Sequence, residues 1–369
     1  MDIGIPREHR PDEHRVGLTP AGVQLLAAAG HACSIESGAG EGAGFSDHDY
    51  ERAGGRIVYS TEEAFRRADL VIKVERPSTE EVGWMREGAS VAGFLHLAVC
   101  PVDQLEVMLA RKITAIAYEM IQDDDGILPV LTPLSQVAGK MTPQLAATFL
   151  QNDHGGKGIL LGGIPGVPPA EVVIIGAGTY GSTAAQSFLL AGASVYVLDQ
   201  SLSHLQHLDQ LLRGGGSLVT MVSHEFNVRK VARFADVLVG AVLQPGRRAP
   251  IVITRDIVRS MKARSLIMDI SIDQGGCVET SRPTTHRDPI FTEENVLHYC
   301  VPNMTSVVAR TATHGFNNAA WPFLWQIARE GLDAALDQQP ALRRGLVMRY
   351  GTITSPALAA ALTARGVSK

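Results

Sequence analysis

The residues Gly176-Ala177-Gly178-Thr179-Tyr180-Gly181 and, further on, Asp199 stand in the order that a bound dinucleotide requires. Gly176 permits a tight turn, and Gly178 lets the backbone come close to a pyrophosphate. Gly181 lets the following helix pack on the preceding strand, and the amides at that helix start then face the phosphates. Asp199 follows at close to the roughly 20-residue interval at which an acid accepts both ribose hydroxyls. Its charge repels a 2′-phosphate, so the pattern points to NAD rather than NADP. A second glycine-rich run, Gly38 to Gly44, precedes Phe45-Ser46-Asp47-His48-Asp49, where no apolar helix opens. We read it as a mobile or substrate-facing loop.

Four further side chains have types that suit proton transfer or anion binding. Lys73 interrupts the apolar run Leu70 to Val74. It is either a lysine snorkelling to the surface or one aimed at a ligand from a strand's carboxyl end. His96, in Gly-Phe-Leu-His96-Leu-Ala, is either a core histidine satisfied by backbone or an acid/base at another strand end. Arg15 is either a solvated charge or a planar fork that clamps a carboxylate in two places. Asp273, after the run Leu266 to Ile270, is either a turn acid or a group facing a cofactor. Their coincidence at strand ends is what gives them weight together, since ionisable groups converging on one place mark a site.

The elements that must position these groups alternate along the chain. Ile3 to Pro6, Ala32 to Glu36, Ile57 to Tyr59, Leu70 to Val74, Val91 to Leu97 and Thr114 to Tyr118 have strand character. Ala21 to Ala29, Thr61 to Ala68 and Val102 to Arg111 have helical spacing. Such alternation implies parallel strands with crossover helices. Pro133 to Gln151 reads as a long helix that Pro143 should kink or split. Val172 to Ile175, Ser194 to Leu198, Leu218 to Val222, Val237 to Ala241, Leu266 to Ile270 and Val296 to Val301 then give six more strands, with Val228 to Phe234 and Thr254 to Met261 as helices. Asn317 to Leu336 is an amphipathic helix able to return to the first domain, and Pro356 to Ala364 a closing one. The expected fold is α/β: two Rossmann-like domains with parallel sheets and an active-site cleft between them. Residues 1–130 plus 305–369 form a discontinuous substrate domain, and 131–304 the NAD-binding domain.

Composition sets the outer bounds. The chain has 369 residues, 45% hydrophobic and 19% charged, with a formal net charge of −5. No long Lys/Arg run is present, which argues against a nucleic-acid partner. No apolar stretch of membrane-spanning length occurs, and the amino terminus lacks a signal-type apolar region. Cys33, Cys100, Cys277 and Cys300 lack metal-type spacing, so we expect no metal site and reduced thiols in a cytoplasmic protein.

On the motifs RVGLTP (15–20), DLVIKV (69–74), FLHLA (94–98), TAIAYE (114–119), GGIPGVPPAEVVIIGAG (162–178) and DQGGCVETSRPTTH (273–286), the chain resembles the alanine dehydrogenase family. That family shares ancestry with the NAD-binding part of transhydrogenase. The resemblance implies reversible, NAD-dependent oxidative deamination of L-alanine to pyruvate and ammonium. It gives Arg15 the substrate carboxylate, Lys73 the carboxylate or carbonyl oxygen, and His96 and Asp273 acid/base roles. It places the cofactor on Ser135, Gly176, Gly178, Thr179, Tyr180, Gly181, Asp199, His204, Ser223, Val242, Leu243, Ile270, Ser271, Ile272, Asp273, Arg282, Val301, Pro302, Asn303 and Met304. It also implies a homo-oligomer, hexameric in the family.

The chain departs from the family pattern at several points. Glu75-Arg76-Pro77 stands where Lys-Glu-Pro is usual, Phe94 where Tyr is usual, and Leu134-Ser135-Gln136 where Met-Ser-Glu is usual. Residues 305–313 and 315–322 also differ. Another small L-amino acid as substrate, or an NAD(H)-binding transhydrogenase-like subunit without amino-acid activity, are the alternatives that these changes keep open.

Overall fold

The computed structural model describes residues 1–366. The chain divides into two compact units, Met1–Leu134 with Pro245–Arg247 and Thr305–Lys369, and Ser135–Gln244 with Arg248–Met304. Both are α/β, and each is built on one sheet.

The first unit contains β1 (Asp2–Ile5), β2 (Ala32–Glu36), β3 (Arg56–Val58), β4 (Leu70–Glu75), β5 (Ser90–Phe94) and β6 (Thr114–Ala117). The chain then runs through the second unit, with β7 (Glu171–Ile175), β8 (Ser194–Asp199), β9 (Leu218–Val222), β10 (Val237–Gly240), β11 (Leu266–Asp269), β12 (Ile290–Glu293) and β13 (Val296–Tyr299). It returns to the first unit for β14 (Leu346–Arg349) and β15 (Thr352–Ile353). Strand order is β15-β14-β6-β5-β4-β1-β2-β3 in one sheet and β12-β13-β11-β10-β7-β8-β9 in the other. Helices cover both faces of these parallel strands, so the strands read as continuous apolar runs. β4 is buried along all its residues, Lys73 included.

Several elements differ from the sequence expectation. The helix Thr132–Phe149 runs unbroken through Pro143. The Thr142 hydroxyl donates to Ala138 O at 2.8 Å, which supplies a local bond on the turn that proline weakens. Beyond Gly44 a short helix, Asp47–Arg52, does open, closed at its start by a reciprocal box between Ser46 and Asp49. The Gly38–Gly44 run is pinned rather than loose: Asp47 accepts from Ser37 and the Gly38 amide, and a Cβ at Gly42 would lie 2.5 Å from His14 O.

Strands β12, β14 and β15 have no counterpart among the expected elements. β12 and β13 form an antiparallel hairpin whose two linking residues, Glu294 and Asn295, are both left-handed. That is the geometry a tight hairpin demands, reached here without glycine. The amphipathic C-terminal stretch is two helices, Ala309–Glu330 and Leu332–Gln338, parted at Gly331 with φ +81°. β14 then pairs antiparallel with β6, adding to the first unit's sheet.

Candidate active site

In the first unit, β6, β5, β4 and β1 lie side by side, and the carboxyl ends of parallel strands gather their following loops at one edge. The charged residues of interest come from those ends. Arg15 lies on the connection after β1, Lys73 and Glu75 at the end of β4, His96 just after β5, and Glu119 just after β6.

Arg15 is nearly buried, and its guanidinium is chelated by Glu13: Nε to Oε1 at 2.7 Å and Nη2 to Oε2 at 2.6 Å. Nη1 donates to Thr305 Oγ1 at 3.1 Å, and Nη2 lies 3.3 Å from Glu75 Oε1. The same Glu75 holds Arg10 Nη1 at 2.8 Å through its other oxygen. The loop that carries Arg15 is fastened from the far end of the unit's sequence. Ser306 donates to Asp12 O, Thr313 accepts from the Val16 amide, and Asn317 bonds both the Thr19 amide and Gly17 O. Thr305, Ser306, Thr313 and Asn317 are therefore the fasteners of the Arg15 loop.

Lys73 does not snorkel to the surface. It is 1% exposed, with Nζ 3.1 Å from both Glu8 Oε2 and Glu81 Oε1 and 5.7 Å from the centre of the Phe65 ring. Burial works against the ammonium, but the two carboxylates outweigh it and hold its pKa above the ordinary value. At Glu8 burial prevails instead and lifts that carboxyl to about 7, against the pull of Lys73 and the Val74 amide. A substrate oxygen reaching Lys73 would have to displace a carboxylate from this nearly dry position.

His96 has φ 44° and ψ 46°, a left-handed conformation that a histidine rarely takes. Glu119 holds it there, since its carboxylate accepts from the Leu95 amide at 3.1 Å and the His96 amide at 2.6 Å. The imidazole remains partly accessible, with Nδ1 3.8 Å from Glu119 Oε1. Strain of this kind costs on the order of 1–3 kcal/mol and persists where surrounding bonds over-determine it. Phe94 sits below, edge-on to Tyr118 and Phe316.

In the second unit the glycine turn follows β7. Gly176 has φ +115°, and a Cβ there would lie 2.3 Å from Ala241 O. A Cβ at Gly181 would lie 1.9 Å from Gly176 O, so both glycines are demanded by the protein's own packing. Gly178 differs: a Cβ there would meet nothing within 4 Å. It caps the helix Thr179–Leu190 without any side-chain acceptor at the helix start. Asp199, at the end of β8, accepts from the Ala177 amide at 2.7 Å and the Ser201 amide at 2.7 Å. An open glycine, a helix start lacking a side-chain cap and an acid bonded to the turn fit a dinucleotide.

The remaining expected cofactor residues surround this turn unevenly. Ser271 and Val242 exchange two bonds, Oγ to Val242 O at 2.8 Å and Val242 N to Oγ at 3.0 Å, which joins the ends of β10 and β11. Ser223 donates its amide to Asp199 O, and His204 Nδ1 lies 3.5 Å from Asp199 Oδ1. Thr179 and Leu243 are exposed, whereas Val301, Asn303 and Met304 are buried. Tyr180 turns its ring into the core, where its hydroxyl meets Thr142 Oγ1 at 2.5 Å, so its backbone is the part nearest the turn. Arg282 lies 4.1 Å over the Phe291 ring, Asp273 and Pro302 are half-buried, and Ser135 begins the unit on its long helix.

Asp269 was not singled out from the sequence, yet it organises the turn that carries Asp273. It is fully buried and accepts from the amides of Ser271, Cys277 and Val278. Burial lifts its carboxyl above the ordinary range, against the pull of Ser281 and those amides. Glu119, Glu13 and Glu75 were likewise missed as partners. The only signals were that Glu13 stands two residues from Arg15 and that Glu119 closes the run TAIAYE.

Residues 4–138 match the family model described as alanine dehydrogenase/PNT, N-terminal domain, and residues 142–356 the model of its C-terminal domain. An alanine dehydrogenase of Methanococcus maripaludis is 44% identical over 363 residues, covering 98% of this chain and 96% of its own. One of Mycolicibacterium smegmatis is 42% identical over 359 residues, covering 97% and 96%. A solved L-alanine dehydrogenase superposes with a TM-score of 0.88 at 40% identity, covering 99% of each chain. A transhydrogenase from Sinorhizobium meliloti superposes with a TM-score of 0.77 at 23% identity, covering 97% of this chain and all of that one, and shares the fold.

Proposed function

The chain belongs to the alanine dehydrogenase/PNT family, and from that premise we propose how it carries out the reversible NAD-dependent oxidative deamination of L-alanine to pyruvate and ammonium. The observation that carries the activity is similarity above 40% along nearly the whole chain to alanine dehydrogenases. Arg15 takes the substrate carboxylate in exchange for Glu13, whose carboxylate chelates the same planar fork in this structure. His96 gives and takes the proton at the substrate oxygen as carbonyl and carbinolamine interconvert, and Asp273 serves as the second acid/base. Glu119 acts through His96 by fixing its backbone. Lys73 we assign to the first unit's own charge cluster rather than to the substrate, because Glu8 and Glu81 already enclose it.

The Gly176–Gly181 turn, Asp199, the Ser271–Val242 pair and their neighbours would hold NAD, with Asp199 on the ribose hydroxyls and against a 2′-phosphate. Bound there, NAD would supply the acceptor for the hydride on the substrate Cα. We also propose a homo-oligomer working in the cytoplasm, to be checked by light scattering and fractionation. The four cysteines are free thiols, and no helix among the described residues is long and apolar enough to cross a membrane.

The test is NADH consumption with pyruvate, with and without ammonium. Ammonium-dependent oxidation of NADH is expected. Binding of NADH with no turnover of pyruvate or any other small 2-oxo acid would refute the activity.

A further inference from the structure

Arg282 stands in a fixed stretch of the second unit, yet its guanidinium takes part in no hydrogen bond or ion pair among the described residues. Just before it, Cys300 Sγ donates to Ser281 Oγ at 3.5 Å. Just after it, the Thr284 amide donates to Cys300 O at 3.0 Å, and Thr284 Oγ1 accepts from the Cys300 amide at 3.2 Å. These bonds tie residues 281–284 to the carboxyl end of β13. The Arg282 side chain itself is exposed, with its Cζ 4.1 Å over the Phe291 ring.

The ring beneath is held in turn. Phe291 of β12 and His298 of β13 oppose one another in the antiparallel ladder, and their rings stack 4.9 Å apart at 22°. His298 is fully buried, with Nδ1 3.0 Å from Val296 O and Nε2 2.7 Å from Thr280 Oγ1. A carbonyl only accepts, so Nδ1 carries the proton, and Nε2 of the neutral ring accepts from the Thr280 hydroxyl. Burial favours that neutral form. Guanidinium, phenyl and imidazole thus make three layers, and no cation at the base opposes the one on top.

An unsupported arginine samples many rotamers, and ordering it on a ligand costs binding energy. The Phe291 ring attracts the cation through its π face and takes none of its N–H donors from an oxygen acceptor. Strand order indicates which part of a dinucleotide supplies that acceptor. Asp199 ends β8, where the adenosine ribose belongs, and β10, β11 and β13 lie on the other side of β7. A dinucleotide laid across the strand ends from β8 over the glycine turn brings its nicotinamide half toward β11 and β13.

We propose that Phe291 is a positioning residue of the dinucleotide site, holding the Arg282 guanidinium ready for an oxygen of the nicotinamide half, with His298 backing the ring. This rests on the assignment of Arg282 to the cofactor. It deepens that reading by naming the half that Arg282 meets and the ring that orders it.

The experiment titrates the full-length enzyme with NADH and with ADP by calorimetry. ADP carries the adenosine and two phosphates but lacks the nicotinamide riboside. Phe291→Leu should weaken NADH about three- to ten-fold and leave ADP within about two-fold. Arg282→Ala should weaken NADH about ten-fold or more, again sparing ADP. With Arg282 already replaced by Ala, Phe291→Leu should cost less than about two-fold further, because the ring acts through the arginine. Phe291→Tyr keeps the π face and should bind NADH within about two-fold of the unaltered enzyme. Unchanged NADH affinity in Phe291→Leu overturns the proposal. So does an equal loss of ADP and NADH, the mark of a disturbed fold or of a phosphate contact, and so does a full loss from Phe291→Leu when Arg282 is already gone. Should Phe291→Leu fail to fold, Phe291→Met takes its place with the same expectations. If Arg282→Ala leaves NADH affinity unchanged, the assignment of Arg282 to the cofactor is itself wrong.

Discussion

Lys73→Met is the substitution that best separates a structural from a substrate-binding ammonium. Removing the ammonium leaves Glu8 and Glu81 facing each other, with side chains only 2% and 7% exposed. Glu8 already titrates at about 7, so it will take up a proton and leave roughly one buried, uncompensated carboxylate. Breaking a buried pair by deleting one partner costs about 3–5 kcal/mol. At ~2–4 °C per kcal/mol for a unit of this size, the melting temperature should fall by about 6–20 °C. The loss should be smaller below neutral pH, where Glu8 is protonated more readily. The triple variant Glu8→Gln, Lys73→Met, Glu81→Gln removes all three charges, and an amide oxygen can still accept from Val74 N and Ser78 N as the carboxylates do. It should recover most of the stability, and KM for L-alanine should stay within about two-fold of the unaltered enzyme. Thermal melts followed by steady-state kinetics below the transition read both. A Lys73→Met enzyme that melts normally while its KM rises ten-fold or more would refute the reasoning and return Lys73 to the substrate.

Further outcomes follow from the same geometry. Glu8 binds a proton in the folded chain but not in the unfolded one between about 4.5 and 7, so stability from this group is greatest below that window and falls as pH rises through it. Glu8→Gln should flatten the decline in melting temperature over that range, and parallel slopes for the two proteins would contradict it. Gly181→Ala forces a Cβ to 1.9 Å from Gly176 O and should lower the melting temperature of the second unit sharply. Gly178→Ala meets no protein atom within 4 Å and should melt normally, yet bind NADH about ten-fold or more weakly by fluorescence titration. Equal NADH affinity in Gly178→Ala would mean that the turn does not face the cofactor. Asp199→Ala removes the acceptor held 2.7 Å from the Ala177 amide; it should raise KM for NAD by about 10–100-fold and narrow the preference over NADP. An unchanged preference would remove Asp199 from the ribose.

The dinucleotide turn was written in the sequence because its physics is local. Strand, glycines, helix and acid lie within one stretch, and Gly181 and Asp199 make their contacts inside it, although Gly176 is also pressed by Ala241 from beyond β10. The parallel α/β character was legible for a similar reason, since strands covered on both faces must be apolar throughout. Short elements were not legible. β12 turns on Glu294 and Asn295 rather than on a glycine pair, and β14 exists because β6 offers an edge some 230 residues away.

What only the tertiary structure decided is how the charges are partnered. Lys73 and Glu75 stand two residues apart on one strand, and nothing in their spacing distinguishes them. Folding surrounds one with Glu8 and Glu81 and sets the other against Arg10 and Arg15. A side chain's charge is fixed by its chemistry, but its work depends on which opposite charges share its low-dielectric surroundings. Those partners arrive from the connection after β1, which carries Glu8, Arg10 and Arg15, and from the short helix Thr79–Trp84 after β4, which carries Glu81, and only the fold brings them together.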